Sequence, residues 1–187
     1  YEIPQGDWSS DVCSSDLMKI QSIVQESSTA IPLLAVSEAS LESTIKTLSP
    51  QAQAWVKTSG FKGKSRTACL VPEEGILSKV LYGPSLDPYE QFWDASFLAE
   101  SLPTDFVYRF HDHPTSEEMA LAWALAGYQF HVDRNKGRTI PKLLVDSTVS
   151  LASLENKLQS IEWIRTLINR PANILSPQAL SQEACVM

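Results

Sequence analysis

Three cysteines in 187 residues, Cys13, Cys69 and Cys185, are too few and too scattered for a disulfide framework or a cysteine-rich zinc site. The default compartment is therefore the cytoplasm. Basic residues are also short: 15 Lys plus Arg stand against 22 Asp plus Glu, a formal charge of −7. A nucleic-acid binder needs a clustered cationic surplus to neutralise phosphates, and none is present. No apolar run approaches the roughly 18 residues of a membrane span. Only seven glycines occur, without a glycine-rich run, which leaves little material for a phosphate-cradling loop. What remains is a globular domain long enough for a real core, or one domain plus the start of another.

Residues 1–17 are unlike the rest. They hold four acids (Glu2, Asp7, Asp11, Asp16), no base and no sustained period. A signal peptide would need a basic start and an apolar stretch, and neither is there. The stretch Asp7 to Leu17 resembles a translated sequencing adapter, so residues 1–17 are expected to be an artefact without structure and the natural frame to open at Met18. Without them, 18 acids face 15 bases, and the acidity is ordinary.

From Met18 onward, strand-length apolar runs alternate with helical stretches, which predicts an α/β layer fold. Strands are expected at Met18–Gln25, Ala30–Val36, Arg66–Val71, Leu77–Tyr82, Asp105–Phe110 and Ile140–Val145. The Pro72-Glu73-Glu74-Gly75 segment reads as a turn. Ser37 is expected to cap a helix carrying Leu41, Ile45 and Leu48 on one face, and Ser49-Pro50 to start another that Gly60 ends. Asp87-Pro88-Tyr89-Glu90 and Thr115-Ser116-Glu117-Glu118 read as capping boxes, the second ahead of a helix over Met119–Phe130. Ser150–Asn169 is the longest predicted helix, with Leu151, Leu154, Leu158, Ile161, Ile164 and Ile168 at three- and four-residue steps. Arg170-Pro171 ends it, and Ser176-Pro177 opens a last one.

Few constellations could carry chemistry. Gly63-Lys64-Ser65 is the tail of a phosphate-binding P-loop, but Thr58 stands where that pattern needs glycine, and the order is helix, loop, strand. It reads as a basic turn feeding the next strand. His111-Asp112-His113 sets two imidazoles beside a carboxylate, and His131 is the one other histidine; zinc wants about four ligands, so a polar strand-to-helix loop is the better reading. No Gly-x-Ser-x-Gly elbow occurs, and Cys69 reads as a small buried residue in a strand. Glu73-Glu74 and Glu117-Glu118 are explained by solvation and helix-dipole support. Trp55, Trp93, Trp123 and Trp163 fall on predicted helices, where packing against the sheet explains them. The residues by themselves thus stop at a soluble α/β domain with its function unstated, and no catalytic, cofactor-binding or metal-ligating residue is singled out.

The stretch Trp163-Ile164-Arg165-Thr166-Leu167-Ile168-Asn169-Arg170-Pro171-Ala172-Asn173-Ile174-Leu175-Ser176-Pro177 resembles a junction of the leucyl aminopeptidase (cytosol aminopeptidase) family. There, a helix ending in Arg-x-Leu-x-Asn runs through Pro-Ala-Asn into a Thr/Ser-Pro helix start. Leu121-Ala122-Trp123-Ala124-Leu125-Ala126-Gly127-Tyr128-Gln129-Phe130 is similar to that family's Gly-Trp-x-Leu-Gly-x-Tyr-x-Phe helix, departing at Ala122 and Ala126. Trp55, Gly60-Phe61 and Leu81-Tyr82-Gly83 also fit its amino-terminal domain.

The resemblance implies a macro-domain-like three-layer sandwich with a mixed, mostly parallel sheet over residues 18–169, and the truncated start of a metallopeptidase domain over residues 170–187. It implies a cytoplasmic parent that removes amino-terminal residues from peptides with two divalent metals (zinc, manganese or magnesium) and assembles as a hexamer. The family's metal ligands lie in the carboxy-terminal domain, around motifs such as Asn-Thr-Asp-Ala-Glu-Gly-Arg, which this chain lacks. No catalytic or metal role is carried over, and the chain itself is expected to be inactive. The alternative is a free-standing macro-like module that binds a nucleotide or ADP-ribose.

Overall fold

The computed structural model of the chain describes residues 20–128, 139–171 and 173–186. Residues 1–17, the end of the helix expected to reach Phe130, His131 and Ala172 lie outside the described residues. In chain order the elements are β1 (Ile23–Val24), β2 (Ile31–Ala35), α1 (Leu41–Thr47), α2 (Pro50–Ser59), β3 (Ala68–Glu73), β4 (Ile76–Tyr82), α3 (Pro88–Ser101), β5 (Val107–Phe110), α4 (Glu117–Leu125), β6 (Lys142–Leu144), α5 (Leu151–Asn169) and α6 (Pro177–Val186). The strands form one sheet in the order β1-β6-β5-β2-β4-β3. All neighbours are parallel except β3 and β4, a hairpin whose two-residue turn, Glu74 and Gly75, has positive φ at both positions. Positive φ at both turn positions matches the twist of antiparallel strands. This is the mixed, mostly parallel α/β sheet expected.

Side chains alternate between two cores, as a period of two requires. On β4, Val80 and Tyr82 join the larger core under α3, α4 and α5, while Leu81 between them joins the smaller core with Val36, Ala52, Val56 and Val71 under α1 and α2. The sheet is thus layered between helices, but α1 and α2 cover only its β2-β4-β3 half. Beyond β2 on that face, Arg109 of β5 and Lys142 of β6 are exposed. There the loop Ser27–Ala30 borders an open cleft with Arg109 and Leu144.

The sheet's two edges are treated differently. β1 is two residues long. β3 is longer, but carries Pro72, which has no amide to offer, beside a register shift, and the indole N–H of Trp55 donates to the Leu70 carbonyl at 2.7 Å.

Helix starts follow their caps. Ser49, Asp87, Ser116, Ser150 and Ser176 each accept a bond from an amide two or three residues on. Ser116, not Thr115, is the cap of α4; Thr115 is buried beneath it. Ser37 does accept from the amide of Ser40, at 3.2 Å, but it closes a turn, and α1 starts only at Leu41.

The ends of several strands are shorter than their apolar runs suggest. Of Met18–Gln25, Ile23 and Val24 are strand, and Ile20–Ser22 form a bend and turn. β5 begins at Val107 and not Asp105, and β6 keeps three residues of the expected Ile140–Val145. A short edge offers few ladder partners, and pairing, not propensity, decides strand length.

Trp123 fills the centre of the larger core, fully buried, with its indole N–H on the Pro141 carbonyl at 2.8 Å. Trp55 and Trp93 are about half exposed, so the packing role expected of all four tryptophans is held fully by Trp123. The α5 stripe also fades along its length. Leu154 and Leu158 are buried, but Ile164 and Ile168 are exposed. Glu162, one turn past Leu158, occupies the next core-facing position at 4% exposure, and its Oε1 has no hydrogen-bond partner. Burial pushes this carboxyl up to about 7, with Arg165 opposing the shift.

A carboxyl that holds its proton longer folded than unfolded favours folding below its ordinary range, near pH 4.5, and that favour is lost as pH rises to about 7. Glu162→Gln should therefore stabilise the chain at pH 8 by about 2 kcal/mol, roughly 5 °C in Tm, and much less at pH 4.5. Thermal unfolding at the two pH values checks this; an equal shift at both would remove the assignment.

Candidate functional site

In an open parallel sheet, ligands bind beyond the strands' carboxyl ends, where adjacent strands send their connections to opposite faces. Here β2 leads to α1 on one face, and its neighbour β5 leads to α4 on the other. That crevice is the place to look for a site, and four loops meet there. They are residues 36–40 after β2, 60–67 after α2, 83–87 after β4 and 111–116 after β5.

The crevice is closed by its own side chains. Asp112 crosses it and accepts the Ala35 amide on Oδ2 at 2.6 Å. The next amide, Val36, donates to the Tyr82 carbonyl at 2.8 Å, and the Ser37 amide donates to the Ser40 hydroxyl at 3.0 Å. The amides that would cradle a phosphate are thus spent internally, and a carboxylate stands where an anion would bind.

The Gly63-Lys64-Ser65 loop is where its order in the chain places it, between α2 and β3. It packs down on the crevice. A Cβ at Gly63, whose φ is +70°, would fall 2.6 Å from the Val36 carbonyl oxygen, and one at Gly83 would fall 1.8 Å from that of Lys64. Neither position has room for a side chain. Lys62, Lys64 and Arg66 point to solvent at its rim.

A second tie, this one buried, anchors that loop. Asp94, on the inner side of α3, accepts the Ser85 amide and the Ser85 hydroxyl, both at 2.7 Å, and Ser85 in turn meets the Ser65 hydroxyl at 2.8 Å. Ser65, Ser85 and Asp94 form a hydroxyl-hydroxyl-carboxylate chain. It differs from a hydrolytic triad at its middle member, where a serine stands instead of an imidazole able to take a proton at neutral pH.

His111 and His113 do not reach it. His113 stacks on Phe110 with centroids 5.5 Å apart, its Nδ1 3.3 Å from the Pro114 carbonyl oxygen, and His111 is exposed. Among the described residues no three of His, Cys, Asp and Glu are grouped to hold a metal. The Tyr82 phenol is raised above its usual range by burial and by the charges of Asp112 and Asp94. Cys69 is buried, with Sγ 3.2 Å from the Ser59 hydroxyl. Glu73 is held below the ordinary carboxylate range by the Ser78 hydroxyl and by Lys79, which it meets at 3.2 Å. Glu117 is held down likewise by Lys157 and Ser153 of α5. Both carboxylates are structural ties at the surface.

Of the two carboxylates that matter most here, Asp94 stands in no motif and Asp112 stands in the His-Asp-His stretch for a reason unrelated to its histidines. Asp94 is nine residues from Ser85, and Asp112 is 77 from Ala35, so periodicity cannot show either pairing.

The fold is an α/β sandwich whose crevice is crossed by its own side chains. A family model described as the M17 aminopeptidase N-terminal domain matches residues 31–146, from the start of β2 to just past β6. The chain belongs to the M17 aminopeptidase family, through that domain. A solved cytosol aminopeptidase from Coxiella burnetii is 31% identical with a TM-score of 0.75, over 88% of this chain and 36% of that one. A tomato leucine aminopeptidase mutant is 16% identical with a TM-score of 0.56, over 88% of this chain and 41% of that one, a likeness of fold. The chain thus spans well under half the length of either. No curated protein matches it in sequence.

Asp94→Ala should cost about 2–4 kcal/mol, because it leaves a buried amide and hydroxyl without their acceptor. Urea unfolding measures the loss, and amide exchange at Ser85 should rise with it.

Proposed function

We propose that the chain is the amino-terminal, non-catalytic domain of a cytosolic leucyl aminopeptidase-type enzyme, with residues 170–187 opening its peptidase domain. The observation that carries this is the family match over residues 31–146, joined by the 31% identical cytosol aminopeptidase that covers 88% of this chain. In this reading residues 18–169 are the domain proper, and residues 1–17 are no part of it. Its likeness to a macro-type sandwich belongs to the same reading, as does the cytoplasmic location. No helix among the described residues is long and apolar enough to cross a membrane.

The parent would remove amino-terminal residues from peptides with two divalent ions, zinc, manganese or magnesium, held outside this chain. Such ions polarise the scissile carbonyl and lower the pKa of a bound water. In this reading the domain supplies packing and the remainder of the parent supplies chemistry. The parent is read as a homo-oligomer, a hexamer in its finer form.

The free-standing nucleotide or ADP-ribose module draws no support from the crevice. Its phosphate-facing amides are bonded internally, and Asp112 occupies the opening.

The purified chain, given manganese or zinc, should not hydrolyse an aminoacyl-nitroanilide, whereas the parent gene product should. Turnover by the 187-residue chain, or none by the parent, would overturn the proposal. ADP-ribose should leave the chain's Tm unmoved.

A further inference from the structure

Parallel strands are ordinarily covered on both faces, and on one face the helices of this domain cover only the β2-β4-β3 half. The β5 and β6 residues on that face follow from alternation. Tyr108 and Leu143 point into the larger core, fully buried, so Val107, Arg109, Lys142 and Leu144 point the other way.

What crosses that face is the link from β1 to β2. Val24 lies beside Leu144 and Ile31 beside Tyr108, so residues 25–30 must pass across β6 and β5, which stand between. They pass on the side of Arg109 and Leu144, where Ser27, Ser28, Thr29 and Ala30 roof a cleft of about 380 Å³. The roof is pinned. Gln25 Nε2 donates to the Val149 carbonyl at 2.9 Å at one end, β2 holds the other, and the Ser27 hydroxyl donates to the Thr29 carbonyl at 2.7 Å between them.

The floor carries charge of one sign. Three cations stand on the described strands, Lys79, Arg109 and Lys142. Lys79 is paired with Glu73 at 3.2 Å, but neither Arg109 nor Lys142 has an ion pair or a side-chain hydrogen bond among the described residues. Val107 pairs with Lys142, which sets the two cations one strand over and two residues along, with Cβ atoms about 8 Å apart. At that spacing both long side chains can reach one anion, and an anion there offsets their mutual repulsion. Glu26, the one acid of the link, does not line the cleft.

The donors suit an oxyanion. A guanidinium presents a planar fork to two oxygens of a carboxylate or phosphate, and the Ser28 and Thr29 hydroxyls above it are unbonded among the described residues. Ala30 and Leu144 add an apolar wall, and about 380 Å³ is at the small end of organic ligand sites.

We propose that this cleft is an oxyanion site, in which Arg109 binds the carboxylate or phosphate group of a small organic acid beneath Ser28 and Thr29, and Lys142 adds its charge from the open side. It lies on the face of the sheet, not in the crevice closed by Asp112, and does not depend on the aminopeptidase reading.

Titration of the nitrogen-15-labelled 187-residue chain with inorganic phosphate and, separately, with acetate tests it by NMR, with sodium chloride holding the ionic strength constant. The Ser28 and Thr29 amides and the Arg109 Nε–H should shift together and saturate, with a Kd on the order of a few millimolar, the range that one charge-assisted fork facing solvent supplies. Saturation by phosphate alone assigns a phosphoryl group, by acetate alone a carboxylate, and by both the oxyanion they share; each supports the proposal. Arg109→Gln should weaken binding by roughly tenfold or more, and Arg109→Lys by less, since it keeps the charge and loses the fork. Lys142→Gln should weaken it about threefold, and Lys64→Gln, in the loop after α2, should leave it unaltered. Circular dichroism and Tm without anion should be unchanged in all four, because these side chains face solvent. Shifts that rise without saturating, that survive Arg109→Gln, or that appear equally at Lys62, Lys64 and Arg66 would be an unspecific response to charge and would overturn the proposal. Aminopeptidase turnover enters none of these readings.

Discussion

The bond from the Ala35 amide to Asp112 fixes what the rest of this domain can be. β2 is the strand where the fold changes direction, with β4 on one side and β5 on the other, and its carboxyl end is where a sheet of this topology would open to a ligand. A carboxylate from the β5 loop crosses that opening and accepts the amide at the strand's end. With the amide engaged, the loop of Gly63 can lie directly on residues 36–38, and Gly83 can take the Lys64 carbonyl against its bare Cα. The end of the sheet that hosts chemistry in related topologies is packed backbone on backbone.

Much of this architecture is legible in the sequence, and for a physical reason. Caps such as Ser49, Asp87 and Ser150 act within three residues, and strand runs such as Ile31–Ala35 pack against a core on each face and so are apolar throughout. The alternation of helix and strand survives any error in their ends. Strand ends fail because they depend on partners: Ile140 and Val145 flank a strand that its short neighbour β1 cannot extend. The exposure of Trp55 and Trp93 fails for a related reason, since residue type fixes the apolar area but not which face of α2 or α3 meets the sheet. Glu162 was readable, standing four residues past Leu158 on a stripe otherwise of leucine and isoleucine, but a charged residue on an amphipathic helix ordinarily marks the solvent face.

The site was less legible than the fold. The histidine pair and the Gly-Lys-Ser tripeptide attract notice because they resemble fragments of known chemistry. Their neighbours in space explain them otherwise, one imidazole stacked on Phe110 and the glycine pressed on a carbonyl. The groups that hold the region together, Asp94 and Asp112, are ordinary acids until their partners are known. Long-range polar ties have no period, so a single sequence shows them only through resemblance.

The indole of Trp55 on the Leu70 carbonyl bears on how copies of this domain can and cannot meet. β3 is the sheet's longer free margin, six residues that could template a strand from another chain. The indole takes one of its acceptors, and Pro72 removes one of its donors two residues on. A foreign strand laid there would lose its ladder near the middle, where a register error is hardest to absorb. Joining through main-chain pairing, the route to open-ended fibres, is thereby discouraged, and encounters between copies are left to side-chain surfaces, which can close on themselves and stop growing.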